Sequence, residues 1–134
     1  MKTFIIAATA VAMLVGQGSA QPASAQQEVS LVGTWVGERD RSDSPRSSRS
    51  GTATMVITEQ KGRAFKGYLS RSNKDGDVKE DLWGAFTPGA RLIAGADEEG
   101  VYSFLMIDEN TLDYCYVESG KGPRAVCARL VRKR

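Results

Sequence analysis

The sequence predicts an all-β fold: an antiparallel up-and-down barrel of about eight strands. Three observations predict it. Short runs rich in Val, Ile, Thr and aromatic residues recur at roughly ten-residue intervals, with Gly, Pro, Asn and Asp between them. No sustained helical period appears after residue 25. A flat meander of this length would leave two bare edges and little core, and closure removes both problems. A two-sheet sandwich is the alternative architecture.

Residues 1–25 read as a secretory signal peptide that takes no part in the fold. Lys2 is the positive start, and Phe4 to Val15 is an apolar run. That run is shorter than the roughly 20 residues a membrane span needs. Ala23-Ser24-Ala25 is a small-residue cleavage pattern, with Gly18-Ser19-Ala20 as a second candidate. No Cys lies nearby to carry a lipid. Of the 134 residues, 25 leave and 109 stay, so residues 26–134 form a single domain. Periplasmic or secreted localisation is expected. Lys2 departs and no acid does, so the net charge falls from +2 to +1. That balance excludes a nucleic-acid binder, and no later run is long enough to span a membrane.

The strands follow in order. Val29 to Gly37 opens the fold, and Glu38 to Ser50 reads as a polar Arg/Ser loop. Thr52 to Glu59 alternates Thr54, Val56 and Thr58 with Ala53, Met55 and Ile57. A turn at Gly62 leads to Ala64–Ser70, and the Asp75-Gly76 hairpin signal leads to Val78–Thr87. Pro88-Gly89 precedes Arg91–Ala96, and the turn ending in Gly100 precedes Val101–Ile107. Thr111–Val117 and Arg124–Val131 complete the set.

The last two strands carry both cysteines. In an oxidising compartment an even count favours a disulfide. The turn Glu118 to Pro123 folds the chain about Lys121 and brings Cys115 opposite Cys127. The same register sets Asp113 against Arg129 beside the cystine. Leu112, Tyr114, Tyr116, Val126, Ala128 and Leu130 then share the other face. A slip of one residue would break all three matches.

The candidate functional residues are few. The chain has no His, which removes Ser-His-Asp and Cys-His catalysis. Its carboxylates fall mostly in turns, so no enzyme is expected, and no cofactor or metal. The Asn73, Asp75, Asp77 run lacks the spacing of a calcium loop and reads as a hairpin turn. Arg39, Arg41, Arg46 and Arg49 cluster in the polar loop, which would form a lid at one barrel mouth. Their guanidinium forks suit a carboxylate or phosphate. Trp35, Trp83, Phe104, Tyr114 and Tyr116 are candidates to line an interior pocket.

Gly33-Thr34-Trp35 resembles the first-strand G-x-W of the calycins, the lipocalins and avidins. The resemblance implies a barrel whose tryptophan packs near a basic residue of the last strand. Arg129 and Arg132 are the candidates, and parity favours Arg132. Phe65-Lys66-Gly67-Tyr68 is similar to the second avidin hairpin, but Tyr68 directly follows Gly67 and would face outward. The long Arg/Ser loop replaces the short biotin-holding one, which argues against biotin. Cys115-Tyr116-Val117 and Cys127-Ala128-Arg129-Leu130 also resemble the closing hairpin of a set of short bacterial exported proteins. Two functions are expected in competition. One is a small-molecule binding barrel. The other is a module that engages an exported protein through its loops, such as a hydrolase inhibitor.

Overall fold

A computed structural model describes residues 29–43, 47–73, 76–89 and 92–134. The proposed signal peptide, Arg46, Asp75 and Arg91 lie outside the described residues. Eight strands run in order: β1 (Gly33–Asp43), β2 (Ser47–Lys61), β3 (Ala64–Asn73), β4 (Gly76–Phe86), β5 (Leu92–Ala96), β6 (Gly100–Asp108), β7 (Thr111–Glu118) and β8 (Arg124–Arg132). Each pairs antiparallel with the next, and β8 returns to β1 to close the barrel.

Alternation decides what lies inside. On β7, Leu112, Tyr114 and Tyr116 are buried, and on β8 Val126 and Leu130 meet them. Cys115 pairs with Cys127 in a disulfide, with 4.1 Å between their Cα atoms. Asp113 faces Arg129 and accepts its Nε–H at 2.6 Å and its Nη2–H at 2.8 Å. All three matches expected of this hairpin hold in one register. On β2 the register shifts between Ile57 and Glu59, a bulge that brings Gln60 opposite Phe65. At Gly37 a Cβ would lie 1.8 Å from the Arg129 carbonyl oxygen. Only glycine lets β1 pass so close to β8.

One end of the barrel is plugged by the residues that lead into β1. Leu31 is buried there, its N–H donated to Gln60 Oε1 at 2.7 Å. Gln60 Nε2 donates to the Val29 carbonyl at 3.0 Å, and Trp35 Nε1 to the Leu31 carbonyl at 2.9 Å. Arg132 lies over the Trp35 ring, 4.1 Å from its centre. Its guanidinium also donates to the carbonyls of Val32 at 2.8 Å and Ser30 at 2.6 Å. This is the tryptophan–cation pairing that the calycin resemblance implied, with Arg132 as the cation.

The expected loop from Glu38 to Ser50 is corrected by the structure. β1 runs on to Asp43 and β2 begins at Ser47, with Arg39 opposite Gly51 and Arg41 opposite Arg49. The ladder satisfies the backbone whatever the side chains are. At a barrel rim both faces meet water or polar groups, so the strand shows no apolar alternation.

Candidate functional site

The hairpins β1–β2, β3–β4, β5–β6 and β7–β8 surround the end opposite the plug, and polar side chains gather inside it. Arg39 on β1 and Arg71 on β3 are the two buried charged residues of the described interior. Arg39 lies against Gly51, where a Cβ would come 3.7 Å from its Nη2. Arg71 shares the inward parity of Leu69 and Phe65, so its strand carries it into the core. It forms an ion pair with Glu80 of β4. Arg124 of β8 lies 2.6 Å from Glu118, 3.3 Å from Glu99 and 3.8 Å from Glu80.

Below this layer is an aromatic stack. Tyr102 stacks on Phe104 with 5.6 Å between ring centres and tilts against Tyr116 at 4.5 Å. Tyr114 lies 6.1 Å from both Tyr102 and Phe104. Asp97, at the end of β5, organises two hydroxyls. Its Oδ2 accepts from Tyr102 at 3.0 Å, and its Oδ1 lies 3.2 Å from the Tyr116 hydroxyl. Asp97 Oδ1 is itself held by the Glu99 and Gly100 N–H groups at 2.9 and 2.7 Å. The Tyr114 hydroxyl and Arg71 Nε are buried with no hydrogen-bond partner among the described residues.

The electrostatics follow from burial and crowding. Burial, then Arg124 and Arg39, holds Arg71 below the ordinary arginine range. Burial pushes the Tyr114 hydroxyl up to about 12, against the opposing pull of Arg39 and Arg71. Burial also pushes Tyr116 up to about 12. Tyr102 rises through burial and the facing Asp97 carboxylate. Burial works against the charge of Arg124, but the Tyr116 hydrogen bond and Glu118 outweigh it and its value rises. The tyrosines are thus neutral donors at ordinary pH. Guanidinium forks, hydroxyls and ring faces can hold a polar head and an apolar body.

The residues singled out in the sequence divide among several places. Phe104, Tyr114 and Tyr116 join the stack, and Arg39 sits inside above them. Arg41 and Arg49 face each other across β1 and β2 at the rim. Trp35 is fully buried at the opposite, plugged end, its N–H already engaged. Trp83 requires correction as a lining residue. Leu82 takes the inward position on β4, so Trp83 turns out and is 50% exposed. It borders a shallow outer depression with Phe65 and Lys66. Sequence reasoning missed Arg71, Glu80, Asp97 and Tyr102. The usable signal was parity: Arg71 and Glu80 each stand two residues from a buried leucine.

The fold is similar to that of a redesigned β-barrel, with a TM-score of 0.55 and 9% identity over 78% of this chain and 92% of that one. It is also similar to an S-type phycobiliprotein lyase of Guillardia theta, with a TM-score of 0.55 and 8% identity over 78% of this chain and 89% of that one. The likeness is one of fold: a small closed barrel of eight antiparallel strands. No protein-family model matches the sequence, and no curated protein does.

Proposed function

We propose that this chain is an exported, non-catalytic binding protein that holds a small, partly apolar ligand at the unplugged end of its barrel. The observation that carries the reading is the polar layer there. The Tyr114 hydroxyl and Arg71 Nε are buried without hydrogen-bond partners among the described residues, and the Tyr114 ring lies tilted against Tyr102 and Phe104. An unsatisfied buried polar group costs about 1–3 kcal/mol, and such groups persist where a function uses them. Arginine forks suit a carboxylate or phosphate head, and the rings suit an apolar body.

The test is native mass spectrometry of the protein recovered from a periplasmic extract. Extra mass that disappears on denaturation is expected, and Tyr114→Phe should lower its occupancy. A clean apo mass in repeated preparations would refute the ligand reading. One observation favours the second reading, a protein-interaction module. Trp83, Ala96, Val101, Val117 and Ala125 are consecutive cross-strand neighbours on the outer face of β4 to β8. An added mass of protein size, lost in Val101→Lys, would favour that reading instead.

A further inference from the structure

We propose that the open edge of β4 accepts an extended, lysine- or arginine-bearing segment of a partner protein as an added strand. β4 pairs with β3 from Gly76 to Ala85 but with β5 only from Trp83 to Phe86. Among the described residues, the stretch Gly76 to Leu82 has no strand on its β5 side. This inference does not rest on the ligand reading, since it concerns backbone groups on the barrel's flank.

The direction of those backbone groups can be worked out. Phe86 N–H donates to the Arg63 carbonyl on the β3 side, and Thr87 N–H to the Leu92 carbonyl on the β5 side. Backbone groups of successive residues in a strand point to opposite edges. Counting back, the N–H and C=O groups of Asp77, Lys79 and Asp81 point into the gap. An extended guest can pair with these groups as a new strand, as peptides do on exposed sheet edges.

The gap is a groove of about 400 Å³. Its walls are Lys79, Glu80 and Asp81 on β4, and Asp97, Glu98 and Glu99 at the β5–β6 turn. Five carboxylates face one ammonium, on a chain whose net charge is +2. Glu80 and Glu99 reach Arg124, and Asp97 takes the tyrosine hydroxyls. Asp81 and Glu98 have no ion pair among the described residues and remain to meet a cation. The guest's charge is therefore positive. Half-exposed Trp83, where pairing with β5 begins, gives an apolar guest residue something to cover.

The experiment measures amide hydrogen exchange by NMR, with and without a short peptide that alternates valine and lysine. The amides of Lys79 and Asp81 should slow by about tenfold or more, while those of Val78 and Glu80, already directed to β3, should not change. A valine–glutamate peptide should protect neither. Lys79→Pro removes an N–H that the barrel itself does not use, so it should fold and lose the protection. D81K together with E98K should reverse the preference in favour of the glutamate peptide. No protection at about 1 mM of either peptide would overturn the proposal, and the edge would then be merely guarded by its charges. Equal protection by both peptides would overturn the cationic partner.

Discussion

Replacing Tyr114 by phenylalanine removes one oxygen and keeps the ring. The ring is 1% exposed and lies 6.1 Å from both Tyr102 and Phe104, contacts that phenylalanine retains. The oxygen has no partner among the described residues. Desolvating a hydroxyl without compensation costs about 1–3 kcal/mol, so Y114F should stabilise the ligand-free protein by about 1 kcal/mol. For a domain of this size that raises Tm by about 4–8 °C. A second signature comes from titration. Tyrosine ordinarily loses its proton near 10.0, and burial pushes Tyr114 up to about 12. A group whose folded value is raised gives its full stability below the unfolded value. That stability is lost as pH climbs through the window between the two. From pH 10 to 12 the wild type should therefore lose up to about 3 kcal/mol that the variant keeps. Urea unfolding followed by the fluorescence of buried Trp35 reads both effects. A variant less stable than wild type by about 1 kcal/mol at neutral pH would show that the hydroxyl has a partner it needs, and the reasoning fails.

Two further outcomes are expected. C115S together with C127S opens a link spanning 12 residues, and should cost about 2–3 kcal/mol in the chain-entropy account; an unchanged melting temperature would contradict the register. Arg132→Met should lose the cation over Trp35 and the bonds to Ser30 and Val32, for about 1–2 kcal/mol and a red-shifted Trp35 emission; an unaltered spectrum would mean that Arg132 does not hold the plug.

The strands with one apolar face were legible in the sequence. Thr111–Val117 and Arg124–Val131 carry alternation, a cystine and a charge pair that agree on one register. Arg132 was legible because the last strand's parity carries it round to Trp35. The β1–β2 arm was not. Arg39, Arg41 and Arg49 lie on strands whose side chains are polar on both faces, and composition alone reads such strands as loop. Trp83 misled because size suggests burial, whereas its neighbour Leu82 takes the inward position. The polar layer was hidden for another reason. Arg71 and Glu80 meet only when β3 and β4 are paired, and Asp97, which reads as a turn residue, is aimed inward by the end of β5. The open stretch of β4 depends on β5 being only five residues long, a length that Pro88 and the turn after Ala96 bound only loosely.

The plug joins the segment before β1 to the end of β8: the carbonyl of Ser30 and the guanidinium of Arg132 are 2.6 Å apart. Of the eight strands β1 is made first and β8 last, so β1 waits for one of its two neighbours until the other strands exist. Until then Trp35 has no lid and the ladder stays open at β1. Closure therefore requires all eight strands, and a chain lacking β8 would be a ribbon where a barrel should be. Because Ser30 and Arg132 lie side by side, a link between them would stand in for a hairpin turn, so the order of the strands around the barrel matters more than which of them comes first.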